Sequence, residues 1–112
     1  MKLSNKEIDG VTVIELEGSV LGGPDAMTLN DMLHTLTEKR KKKIVVDLSG
    51  VQGMNSSGLS MLITGLTTMK NAGGDLKIAA ASKKIESLLS ITKLTTVFEL
   101  YPSVRKAIAS FA

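Results

Sequence analysis

The stretch Asp47-Leu48-Ser49-Gly50-Val51-Gln52-Gly53-Met54-Asn55-Ser56-Ser57-Gly58-Leu59 constrains this chain more than any other. Just before its start, Ile44-Val45-Val46 is continuously apolar. Such a run suits a strand covered on both faces and predicts one over Lys43 to Leu48. Beyond it, Leu59, Leu62, Ile63, Leu66 and Met69 recur at helical spacing, which predicts an amphipathic helix. A short polar turn is expected between the two, carrying adjacent hydroxyls followed by glycine. A serine in that turn is exposed, at the positive end of a helix, beside backbone N–H groups that lack an intrahelical acceptor. The fold would tolerate a phosphate there. Strand, turn and helix with a presented serine point to a nucleophile or to a phosphorylation switch.

The nucleophile finds little support in the surrounding residues. A hydrolase elbow requires Gly-x-Ser-x-Gly. Gly58 follows Ser56, but Met54 occupies the place of the first glycine, and His34, the one histidine, falls inside a predicted helix. No acid–base pair can be assembled around Ser56, so the chain is not expected to be an enzyme. A plainer structural role exists as well: Asn55, Ser56 and Ser57 are all favourable N-cap residues, and capping alone would account for them.

A chain of 112 residues corresponds to one domain, residues 1–112, and suffices for a two- or three-layer core. Tryptophan is absent and aromatics are scarce, so the core is expected to be aliphatic, with methionine filling gaps. The absence of cysteine excludes disulfides, thiolate metal sites and thiol catalysis, and fits a reducing cytosol. No second histidine or carboxylate cluster stands at metal-ligand spacing, and no cofactor motif is present. The first residues lack a signal-peptide apolar core, and no apolar stretch is long enough to span a membrane. A cytoplasmic protein without membrane insertion is expected. The formal net charge is +3, and the basic residues concentrate in Lys39-Arg40-Lys41-Lys42-Lys43. These cations read as compensation at a helix C-terminus; with no aromatic among them, direct nucleic-acid binding is not expected.

Along the chain, Leu3 to Ile8 and Val11 to Glu17 flank the turn pair Asp9-Gly10 and predict an antiparallel hairpin. Gly18 to Pro24 reads as a loop, with Pro24 suited to the first position of a helix. That helix buries Ala26, Leu29, Met32, Leu33 and Leu36, with His34 off the stripe. The serine-led helix ends at Asn71-Ala72-Gly73-Gly74, and Gly65 within it either permits close packing or is tolerated. Asp75 to Ala80 predicts a strand. Ser82 caps a third helix with Ile85, Leu88 and Leu89 inward. Val97-Phe98-Glu99-Leu100 predicts a last edge strand, and Ser103 caps a final helix carrying Val104, Ala107, Ile108 and Phe111. The fold class is α/β: a small mixed sheet, made of an N-terminal antiparallel hairpin plus parallel strands, with about four helices packed on it.

These residues in this order resemble the STAS domain, and more narrowly the bacterial anti-sigma factor antagonists. The resemblance centres on Asp47-Leu48-Ser49-Gly50-Val51 through Asn55-Ser56-Ser57-Gly58-Leu59, which is similar to the family's strand and phosphorylation loop. Asn71 to Leu76 and the ending Leu88-Leu89 through Ala107 are similar as well. The resemblance implies a binding module in a partner-switching pathway that regulates transcription. Unphosphorylated, such a domain sequesters an anti-sigma factor, usually a serine kinase, and a sigma factor is released. The kinase ends the interaction by phosphorylating one serine, and a serine phosphatase restores it. That serine corresponds to Ser56, with Ser57, expected to start the helix, as the alternative. Asn55, Ser56, Ser57, Gly58 and Leu59 correspond to the partner-binding loop. The resemblance also leaves open a STAS regulatory subunit of a transporter or lipid-trafficking ATPase, without a phosphorylation switch. Two positions depart from the family pattern: Asn55 stands for an aspartate, and Leu21 falls where a second acidic residue is expected.

Overall fold

Asp9 and Gly10 both adopt positive φ, 52° and 78°, the conformation that matches the twist of a two-residue hairpin. They join β1 (Lys2–Ile8) to β2 (Val11–Val20) in antiparallel register, with Ile8 opposite Val11 and Lys2 opposite Glu17. The computed structural model describes residues 1–111. Three more strands, β3 (Lys43–Met54), β4 (Asp75–Ala79) and β5 (Leu100–Tyr101), add on in parallel, giving the order β1-β2-β3-β4-β5. Four helices connect and close the sheet: α1 (Pro24–Glu38), α2 (Ser56–Asn71), α3 (Lys83–Ile91) and α4 (Val104–Ala109), with a 3-10 turn at Leu94–Thr96. The mixed sheet and its four helices agree with the fold expected from the residues.

Alternation along the central strands sorts their side chains between two cores. Ile44, Val46 and Leu48 of β3 join Ile14 and Leu16 of β2 beneath α1, α2 and α3. Val45, with Val11, Val13 and Ala79, faces the other way and is covered by Ala107 of α4. This is why Ile44-Val45-Val46 is apolar without interruption. Leu29, Leu33 and Leu36 of α1 are buried and Ala26 and Met32 partly so, while His34 is exposed. Gly65 is a packing device: a Cβ there would lie 3.1 Å from Leu33 Cδ1 and 3.5 Å from Leu76 Cδ1, so its absence lets α2 approach α1 and the sheet.

Several boundaries differ from the expectation. β3 does not end at Leu48; Ser49 to Met54 continue the strand, and so do Gly18 to Val20 of β2. Gly50 pairs with Glu17 and Met54 with Val20, the register shifting once between Glu15 and Glu17 and again between Gly18 and Ser19. Glycine is needed because a Cβ at Gly50 would lie 2.9 Å from Glu17 Cγ and 3.1 Å from the Leu16 oxygen. Ala80 leaves β4 with φ 58°. The predicted strand at Val97–Leu100 is displaced to Leu100–Tyr101, because Phe98 turns into the core and only Ile78 and Ala79 offer partners. Met61, outside the expected stripe, is buried. The basic run begins just past the end of α1, with Lys39 as C-cap and Arg40 at φ 60°.

Lys77 of β4 is buried beneath the chain's last turn. Its ammonium lies 2.7 Å from Ser110 Oγ, 3.6 Å from the Glu99 carboxylate and 4.3 Å from the centre of the Phe111 ring. These partners offset the cost of burying a charge and hold the end of α4 on the second face.

Candidate functional site

The parallel strands β2 and β3 end side by side, and the segments leaving them build the site. Asn55 is extended (φ −108°, ψ −176°) and caps α2: its side-chain Oδ1 accepts a hydrogen bond from the Gly58 N–H at 2.8 Å. Its own N–H donates to the Val20 carbonyl at 3.3 Å, tying the start of the helix to the end of β2. Asn55 is therefore the cap, and Ser56 is the first helical residue. This corrects the expectation that Ser57 starts the helix; Ser57 is the second residue, within the first turn.

Gly58 is buried at the closest approach of α2 to β2. A Cβ there would lie 2.9 Å from the Val20 carbonyl carbon and nearer still to its oxygen. Any side chain at 58 would push the helix off the strand. Leu59 lies beneath it in the core. Gly22, at φ 79°, lies against Ser57, and a Cβ on it would fall 2.7 Å from Ser57 Cβ. The two serines are thus in different settings. Both are exposed, but Ser57 is flanked by the Gly22 backbone.

The first-turn N–H groups of Ser56 and Ser57 have no acceptor within the helix, and the peptide dipoles of α2 add positive potential there. α2 has no acidic residue in its first turn. No charged residue occurs from Gly18 through Pro24 or from Ser49 through Met69. An anion on the Ser56 oxygen would thus meet amide donors and no carboxylate from either segment. Among the described residues, no group of three His, Cys, Asp or Glu could hold a metal, and no helix is long and apolar enough to cross a membrane.

Residues 2–107 match the family model of the STAS domain. The chain belongs to the STAS domain family. BtrV of Bordetella bronchiseptica, named as a candidate anti-sigma factor antagonist, is 24% identical over 111 residues, covering 99% of this chain and 95% of the relative. A candidate anti-sigma factor antagonist of Thermotoga maritima superposes with a TM-score of 0.86 at 20% identity, over 96% of this chain and 92% of that one. SpoIIAA, a Bacillus cell fate determinant solved in a phosphorylated form, gives a TM-score of 0.75 at 13% identity, over 99% and 100% of the two chains.

In this STAS domain the residues expected from sequence, Asn55 through Leu59, do come together as one strand-to-helix junction. Sequence reading missed the half of the site contributed by β2 and the loop after it: the Val20 carbonyl that accepts from Asn55, and Gly22 against Ser57. Gly22-Gly23 carried a breaker signal, but its contact with α2 is tertiary and leaves no local mark. Leu21 beside that contact is 54% exposed, and Met27 of the first turn of α1 is 70% exposed.

Proposed function

We propose that this STAS domain is an anti-sigma factor antagonist whose binding is switched by phosphorylation of Ser56. The observation that carries the reading is the setting of Ser56: exposed, first in α2, and clear of the close packing that Gly22 and Gly58 make with their neighbours. A phosphate there adds about −1.5 to −2 charge at one point without requiring the domain to rearrange. Unphosphorylated, the domain sequesters an anti-sigma factor and so frees a sigma factor. Phosphorylated, it presents an anion that a partner lying over the loop would have to desolvate. A penalty of about 3 kcal/mol weakens affinity more than a hundredfold, enough for an on–off signal.

The modifying enzyme would be the anti-sigma factor itself, acting as a serine kinase, and a serine phosphatase would reset the switch. A regulatory subunit of a transporter or lipid-trafficking ATPase is less well supported, because BtrV, matched over nearly its whole length, carries the antagonist name. The domain acts by binding rather than by catalysis. Purification from the native cell with its bound partner, together with phosphopeptide mapping, tests the proposal. A serine kinase that regulates a sigma factor should co-purify with the unphosphorylated form, and phosphate should map to Ser56. Phosphate only at Ser57 would overturn the site, and a membrane ATPase complex as the bound partner would overturn the function.

A further inference from the structure

Three helices cover one face of the sheet, whereas among the described residues the other face is covered by the six residues of α4. That cover is incomplete. Between α4 and the Asp9-Gly10 turn lies a cleft of about 490 Å³, walled by Ile8 and Asp9 on the hairpin side and by Val104, Arg105, Ile108 and Ala109 on the helix side. A second cleft of about 150 Å³ shares Asp9, Ile108 and Ala109 with it and adds Val11, Lys43 and Phe111. Ile8, Val104, Ile108 and Phe111 pack on the small second core yet stay only half-buried. Three charged groups edge the clefts: Arg105 at the first, Lys43 at the second and Asp9 at both. All three are exposed, and none takes part in an ion pair among the described residues.

We infer that this face, where α4 meets the hairpin turn, is an isologous interface with a second copy of the chain. The ground is charge complementarity around an apolar centre. A two-fold rotation that lays the hairpin turn of one copy over α4 of the other sets Asp9 of each copy toward Arg105 of the other. Ile8, Val104 and Ile108 of the two copies then meet between these pairs. An acidic or a basic partner would leave one sign unpaired, and a small anion in the cleft would lie beside the Asp9 carboxylate. A second copy brings both signs. Pairs at the rim add little affinity, so the apolar centre supplies the attraction and the charges fix the orientation. The clefts are small, and the dimer is accordingly weak. They lie at the Val11 end of β2, about 30 Å from its Val20 end, where the serine loop begins. Dimerisation through this face leaves both serine loops open, so that one particle presents two of them. The inference is independent of the antagonist reading.

Sedimentation velocity of the full chain, from about 10 μM to about 1 mM, reads the association directly, and a monomer–dimer equilibrium with Kd on the order of 100 μM is expected. Arg105→Glu sets like charges against each other twice in every dimer and should weaken association about tenfold or more. Asp9→Asn, which the positive φ of that position accepts, should weaken it about threefold. Ala109→Arg fills both clefts from an exposed position and should abolish association. Lys84→Glu, on α3 across the sheet, is the charge control and should stay within about twofold of wild type. Asp9→Lys alone should not self-associate. Mixed with Arg105→Glu, it should form a one-to-one heterodimer within about threefold of the wild-type affinity, because each variant offers the charge that the other needs. Circular dichroism and thermal melts check that each variant is folded; if Asp9→Lys is not, Asp9→Asn and Arg105→Glu decide the pairing. A chain still monomeric at about 1 mM overturns the inference. A dimer indifferent to Arg105→Glu and Ala109→Arg overturns this face. Folded Asp9→Lys and Arg105→Glu that fail to associate on mixing overturn the two-fold pairing. None of these outcomes bears on Ser56, so the antagonist reading stands or falls separately.

Discussion

Gly58→Ala should be the most damaging single-atom change at the site, and the structure gives its size. The added Cβ meets Val20 backbone, 2.9 Å from the carbonyl carbon and closer to the oxygen. Backbone at the end of a strand cannot rotate aside as a side chain can, so the cost lies near the upper end for overpacking, about 3 kcal/mol. Moving the helix outward also disturbs the bond from the Gly58 N–H to Asn55 Oδ1, and losing a cap costs about 1 kcal/mol. Alanine's better helix propensity offsets about 1 kcal/mol. The net loss is about 3 kcal/mol, a fall in Tm of roughly 12 °C. Gly65→Ala is the internal comparison. Its Cβ would meet Leu33 Cδ1 at 3.1 Å, a methyl group that can yield by a few tenths of an ångström, and the propensity gain cancels most of that strain. Its stability should stay within about 1 kcal/mol of wild type. The chain has no tryptophan, so urea unfolding is best followed by far-UV circular dichroism, with equal slopes required before midpoints are compared. Gly58→Ala as stable as Gly65→Ala would refute the reasoning that α2 is held against the Val20 carbonyl.

Three further outcomes are expected. Asn55→Asp keeps the oxygen that caps Gly58 and adds a charge, and should speed phosphorylation by the cognate kinase about tenfold, equivalent to about 1.4 kcal/mol of transition-state stabilisation; equal or slower rates in a side-by-side time course with ATP would show that the carboxylate is not what the loop lacks. Ser56→Asp should leave the circular dichroism native while weakening partner affinity by less than the phosphate does, since it adds a smaller charge; unchanged affinity would argue against a charge switch. Lys77→Met keeps the packed stem but removes the ammonium from Ser110, Glu99 and Phe111, and should cost about 1 kcal/mol and raise amide exchange mainly in Val104–Ala109; uniform protection would show that this cation does not hold α4.

Much of the fold is legible in the residues because it is local. The Asp9-Gly10 turn, the stripe Leu29-Leu33-Leu36, and Ser82 and Ser103 as caps are found where short-range physical chemistry puts them: Ser82 Oγ accepts from Ile85 N–H and Ser103 Oγ from Lys106 N–H. What is not local is not legible. Ser49 to Gly53 reads as a turn because it is polar and glycine-rich, yet the neighbouring extension of β2 pairs with it, and Gly50 is there to admit Glu17. The amphipathic pattern of α4 says that one side is buried but not against which face of the sheet. At the site, Asn55 through Leu59 were readable from the strand-to-helix transition and the family resemblance. Val20 and Gly22 were not, because their roles exist only once β2 and β3 lie side by side.

The central claim is that one phosphate on Ser56 controls partner binding, and it is tested most directly by calorimetry. The cognate anti-sigma factor is titrated with the domain stoichiometrically phosphorylated at Ser56 and, separately, with the unmodified domain. Affinity for the phosphorylated form should be lower by about a hundredfold or more, corresponding to about 3 kcal/mol, with the domain's circular dichroism unchanged. Equal affinity for the two forms would contradict the account.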